Sequence, residues 1–111
     1  MIYRVVLTAQ AARELEQAAE WWSGNRSPDE ARKWYAGISA AIYSLGELPL
    51  RFPLADENAD FPIELRELHF GISAQPTHRA IFTIVADSVV VLTIRHTAQK
   101  SLDPGDIDAK L

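Results

Sequence analysis

With 111 residues, 48% of them hydrophobic, the chain is the size of one domain and carries enough apolar side chains for one modest core. It has no cysteine, which excludes a disulfide framework and any thiolate metal site and suits a reducing cytoplasm. A net charge of −4 argues against general nucleic-acid binding, which draws on a basic surplus for counterion release.

Ile2 to Leu7 is the first strand candidate, rich in β-branched residues. It is too short and interrupted for a signal peptide, and nothing later approaches the roughly 18 apolar residues of a membrane span, so a cytoplasmic protein with no membrane partner is expected. Thr8 is placed to cap a helix beginning near Ala9, in which Ala12, Leu15, Ala19 and Trp22 recur at spacings of three and four. Glu14, Glu16 and Glu20 fall on the opposite face as solvating charge. Ser23-Gly24-Asn25-Arg26 breaks the pattern. Ser27-Pro28-Asp29-Glu30 then supplies a cap, a proline for the first helical position and the glutamate of a capping box.

The second helix is expected to run to about Leu48, with Ala31, Trp34, Tyr35, Ile38, Ala41, Ile42 and Leu45 on one wide apolar face and Pro49 ending it. The proline-rich and acidic stretch from Leu50 to Pro62 reads as an irregular surface connection. Three strands follow, Ile63 to Phe70, Arg79 to Ala86 and Val89 to His96, with a turn at Asp87-Ser88. The run Val89-Val90-Val91-Leu92 is apolar at both parities, as in a central strand covered on both faces. Residues 97–111 read as a polar, loosely held tail. The order predicts a single α+β domain over 1–111, a helical hairpin packed on an antiparallel sheet.

That order, with particular residues in place, resembles the RelE/ParE superfamily of bacterial toxin-antitoxin and plasmid-stabilisation proteins. The matching residues are Tyr3-Arg4-Val5, Leu7-Thr8, Ala12 through Trp22, Ala31, Trp34 and Leu45-Gly46-Glu47-Leu48-Pro49. Later in the chain they are Arg66-Glu67-Leu68, His78-Arg79-Ala80-Ile81-Phe82 and Val90 through His96. The resemblance implies a growth-inhibiting toxin neutralised by a cognate antitoxin, one helix of which lies against the hairpin or sheet. Trp21, Tyr43 and Phe52 are candidate anchors for that contact, against the plainer reading that they complete the core.

RelE-like members are implied to cut mRNA in the ribosome without a metal, stabilising the charge that develops at phosphate with basic residues. By that resemblance the candidate catalytic residues are Arg79, Arg66, Arg95 and His96. A two-residue turn at Asp87-Ser88 sets Arg79 opposite His96; a three-residue turn from Ala86 to Ser88 sets it opposite Arg95. Past His96 the RNA-cleaving members carry further basic and tyrosine residues, whereas this chain has Thr97-Ala98-Gln99-Lys100-Ser101-Leu102. ParE-like members, which lack the catalytic set and are implied to poison DNA gyrase, fit better. A gyrase-directed toxin is therefore the first reading, with an mRNA endonuclease and a non-toxic antitoxin-binding member as alternatives.

Plainer roles compete with catalysis. Arg79 and Arg66 have Glu64, Glu67 and Asp87 nearby for surface ion pairs, and His96 could donate to a backbone carbonyl. His69 and His78 lack metal-ligand spacing with it, so no metal or cofactor is expected.

Overall fold

Thr8 turns strand into helix as its sequence position suggests: its backbone is extended and its Oγ1 accepts from Ala11 N at 3.1 Å. The computed structural model describes residues 2–73 and 75–107. Strand β1 (Arg4–Leu7) leads through Thr8 into α1 (Ala9–Asn25), which runs past the expected break at Ser23. The buried stripe is Ala11, Leu15 and Trp22, flanked by Ala18 and Ala19, while Ala12 is exposed. Alanines at both 11 and 12 fit the spacing, and periodicity alone cannot choose between residues so small.

Helix α2 (Pro28–Tyr43) starts as expected, with Ser27 Oγ accepting from Glu30 N at 3.1 Å and Pro28 in the first turn. It ends before Leu48. The chain tightens into a 3-10 turn at Ser44–Gly46, and Leu48 takes a left-handed conformation (φ 48°) ahead of Pro49. Trp34 is fully buried and stacks on Trp22 with ring centroids 6.4 Å apart, which joins the two helices.

The strands β2 (Arg66–Phe70), β3 (His78–Val85) and β4 (Ser88–His96) form an antiparallel meander. The sheet order is β1-β4-β3-β2, and β1 joins β4 in parallel, so the four-stranded sheet is mixed and β4 is central over part of its length. The β3–β4 turn is Ala86-Asp87, with Ala86 at φ 54°. A bulge between Ile81 and Phe82 then shifts the register and sets Arg79 opposite Arg95 and His78 opposite His96. The pairing expected from a three-residue turn thus arises from a two-residue turn plus a bulge.

The helical hairpin covers one face of the sheet, packing Ala11, Leu15, Trp34, Ile38 and Ile42 on Leu68, Phe82, Val89 and Val91. The opposite face carries a second cluster of Leu65, Ile81, Leu92, Ala55, Leu102 and Ile107. Two segments expected to be surface connection and loose tail therefore supply the second layer. The connection contains 3-10 turns at Pro49–Arg51 and Asp56–Asp60, and the tail is docked as far as Ile107 through a 3-10 turn at Pro104–Asp106. Isolated apolar residues such as Leu102 and Ile107 have no period to reveal them. The connection also closes the β2 edge, with Glu67 N donating to Pro53 O and Ala55 N to Leu65 O. Residues 108–111 of the expected tail lie outside the described residues.

Candidate functional site

The sheet register separates the four basic candidates. Arg79 and Arg95 are cross-strand partners, and Arg79 shares the face of Ile81, which belongs to the cluster away from the helices. Arg66 pairs with Phe82 and alternates with Leu68, which places it on the helical face. His96 pairs with His78, whose ring meets Trp34, and so lies on that face too. Along β3 the partners of Arg66 and His96 are Phe82 and His78, roughly 13 Å apart at strand rise. No one ligand atom can meet all four.

Arg79 is held on its own face. Its Nη1 donates to Glu57 Oε1 at 2.9 Å and to Glu67 Oε2 at 3.0 Å, while Nη2 donates to Glu57 Oε2. Glu57 Oε2 also accepts from Leu102 N at 2.9 Å, so one carboxylate ties β3 to the docked tail. Hydrogen bonding from Arg79 is the main cause that holds the Glu57 carboxyl down to about 2, and the two carboxylates make the guanidinium a still weaker acid than usual. The Arg79 and Glu57 side chains are only 12% and 5% exposed, so this is an interior network and not the surface pairing expected.

The other candidates are likewise engaged. Arg66 Nη1 donates to Phe52 O at 2.6 Å and its Nε pairs with Glu64 at 3.0 Å. Arg95 is buried and donates from Nη2 to Lys100 O at 3.0 Å. His96 Nδ1 accepts from Ala98 N at 3.0 Å, and its ring meets His78 edge-on at 5.1 Å. Burial, and secondly the repulsion of a charged His96, lower the His78 ring to about 4.

Two open grooves flank α1 on either side of its buried stripe. One, about 320 Å³, is mainly apolar and lies between α1 and α2, lined by Leu7, Ala12, Leu15, Tyr35, Ile42 and Tyr43 together with Glu16 and Ser39. The other, about 350 Å³, lies between α1 and the end of β4, lined chiefly by Glu14, Ala18, Trp21, His78, Ile94 and His96. Of the three aromatic anchors considered, Trp21 (54% exposed) and Tyr43 (65%) stand at these grooves. Phe52 is half-buried and packs edge-on to Phe82 at 6.1 Å, completing the core.

Sequence reasoning missed Glu57 and Glu14. Glu57 sat in a stretch read as loop, and its partner lies on another element, so no local signal marks it. Glu14 is bound to the sheet, its Oε1 accepting from Thr93 Oγ1 at 2.7 Å and Ile94 N at 3.2 Å. A stripe read as Ala11-Leu15-Ala18-Trp22 would have put Glu14 at its border, one turn from both Ala11 and Ala18.

Residues 5–101 match the model of a protein family described as ParE toxin of type II toxin-antitoxin system, parDE. A solved structure described as "Chromosomal ParDE TA system from P. aeruginosa" is similar in fold, with a TM-score of 0.68 at 17% identity, over 86% of this chain and 96% of that one. No curated protein sequence matches.

Proposed function

The chain belongs to the ParE toxin family of type II toxin-antitoxin systems, and from that premise we propose that it arrests growth by binding a protein target, DNA gyrase, in the cytoplasm. A cognate antitoxin holds it inactive. The observation that carries a binding role over RNA cleavage is the Arg79 network. A guanidinium shared between Glu57 and Glu67 has both Nη1 hydrogens and one on Nη2 engaged, and a phosphate approaching it would meet two carboxylates first. The remaining basic candidates, split between the two faces of the sheet, supply no replacement.

The α1–α2 groove suits the antitoxin. Its walls are mainly apolar, with Tyr35 and Tyr43 at 42% and 65% exposure and Glu16 and Ser39 as the polar members, and an amphipathic helix lays a matching apolar stripe into such a groove. Outside that groove's lining, Leu48 is 73% exposed in a left-handed backbone, where it carries both conformational and solvation cost with little packing return. Among the described residues no helix is long and apolar enough to cross a membrane.

The test is growth after induction of the chain alone and together with the product of the neighbouring gene, followed by supercoiling assays with purified gyrase. Arrest relieved by the neighbour, with supercoiling inhibited, supports the proposal. Arrest with active gyrase and cleaved transcripts would assign the chain to mRNA cleavage. A stable complex with the neighbour but no arrest would make it a non-toxic antitoxin-binding protein.

A further inference from the structure

Strand β4 outruns its parallel partner. β1 pairs with it only from Ser88 to Val91, and Thr8 N makes the last backbone bond across, to Val91 O at 3.0 Å. From Leu92 to His96 that side of β4 has no strand beside it among the described residues. Alternate residues of such an edge point their N–H and C=O groups outward, and here they are Leu92, Ile94 and His96.

Side chains occupy the place of the missing strand. Thr8 Oγ1 donates to Leu92 O at 3.1 Å, Glu14 Oε1 accepts from Ile94 N at 3.2 Å, and Gln99 Oε1 accepts from His96 N at 2.7 Å. Glu14 and Gln99 also line the cleft between α1 and β4, whose apolar wall is Trp21, Ala18 and Ile94. Trp21 is held upright there by edge-on contact with Trp22 at 5.6 Å. The cleft therefore combines two backbone donors at strand spacing, each bonded to a side chain and not to a strand, with an exposed aromatic anchor.

We infer that this cleft receives an extended segment of the toxin's protein target, which adds to the free edge of β4 between that strand and α1. A helix cannot do this, because its carbonyls are already bonded within it; an extended backbone offers carbonyls that replace Glu14 at Ile94 N and Gln99 at His96 N. The segment carries an apolar side chain for the Trp21–Ala18 wall. It also carries a lysine or arginine, whose charge complements the Glu14 carboxylate lining the cleft. The inference rests on the reading that the target is a protein. It places target and antitoxin on opposite flanks of α1, since the apolar groove beside α2 suits a helix and this cleft suits a strand.

The decisive experiment has two arms. In the first, the full chain is titrated with the capped peptide acetyl-Lys-Val-Lys-Val-Lys-amide at millimolar concentration while backbone amide resonances are followed. The Ile94 and His96 amides should shift and Trp21 fluorescence should change, whereas acetyl-Lys-Ser-Lys-Ser-Lys-amide should leave both unmoved. No shift with the valine peptide would mean that the side chains merely seal the edge, and the inference fails. In the second arm, Trp21→Ala and Trp21→Glu chains of normal thermal stability should lose at least about tenfold in growth-arresting potency while keeping antitoxin affinity. Full potency in both variants overturns the inference, as does protection of the Ile94 and His96 amides from exchange by the antitoxin alone. If the wild-type chain causes no arrest, the toxin reading fails instead, and the peptide titration still decides whether the strand edge is a binding site.

Discussion

Glu57 and Arg79 stand 22 positions apart in the chain and meet on the outer face of the sheet as a two-pronged ion pair, from which Glu57 also reaches Leu102 N. Removing the arginine leaves Glu57 and Glu67 facing each other with little solvent. Arg79→Ala should therefore destabilise the fold by about 3–5 kcal/mol, and Glu57→Gln, which keeps a hydrogen-bonding side chain, by about 1–3 kcal/mol. Urea unfolding checks this, and a wild-type midpoint for Arg79→Ala would show the pair to be idle. Lost toxicity in an Arg79 variant is evidence about function only after that measurement.

Acid should weaken the fold in two overlapping stages. His78 titrates near 6.5 when unfolded and near 4 when folded, so between those values the unfolded chain holds the extra proton and stability falls as pH drops. At about 1.4 kcal/mol for each tenfold change in proton affinity, the loss is about 3 kcal/mol. Glu57, near 4.5 unfolded and about 2 folded, contributes stability that is present above pH 4.5 and lost as pH falls towards 2. Thermal midpoints followed across these windows should decline, and His78→Phe should flatten the upper stage while leaving the lower one.

Leu48 offers a gain. Its left-handed backbone costs a side-chain-bearing residue roughly 1–2 kcal/mol, and with 73% of its surface exposed it packs little in return. Leu48→Gly should raise stability by up to about 1 kcal/mol once the looser unfolded chain is counted. The same change should weaken antitoxin binding if Leu48 is held ready for that partner. A thermal midpoint below wild type would show that the Leu48 side chain supports the fold.

Two aromatic residues of α2 should behave in opposite ways. Trp34 is fully buried against Trp22 and His78, so Trp34→Ala should cost about 3–5 kcal/mol. Tyr43 is 65% exposed, so Tyr43→Ala should change stability by less than about 0.5 kcal/mol. Its effect should appear in antitoxin affinity, as a loss of at least about tenfold by calorimetry. Unchanged affinity would remove the α1–α2 groove as the antitoxin site.

The local signals in the sequence determined a great deal by themselves. Thr8 and Ser27-Pro28 start helices where their chemistry requires, because a cap bonds within its own turn. The β-branched runs gave the strands, and the doubly apolar run Val89–Leu92 marked the strand that both layers cover, because burial on two faces leaves no polar alternation to see. The antiparallel meander followed from the short connection between β3 and β4.

Tertiary structure alone decided the partners. The bulge at Ile81/Phe82 set Arg79 beside Arg95, and the pairing of β2 with β3 placed Arg66 on the opposite face with His96. Adjacency in one strand already separates Arg95 from His96, but the cross-strand placements need the register. The docking of Leu102 and Ile107 beneath the sheet turned an apparent tail into a core layer, and the reach of Glu57 turned an apparent catalytic arginine into the centre of an ion-pair network. A cap or a periodic stripe is an interaction among neighbours in the chain and so is written locally. An ion pair across 22 residues, or a free strand edge left by one short β1, exists only once the chain has closed on itself.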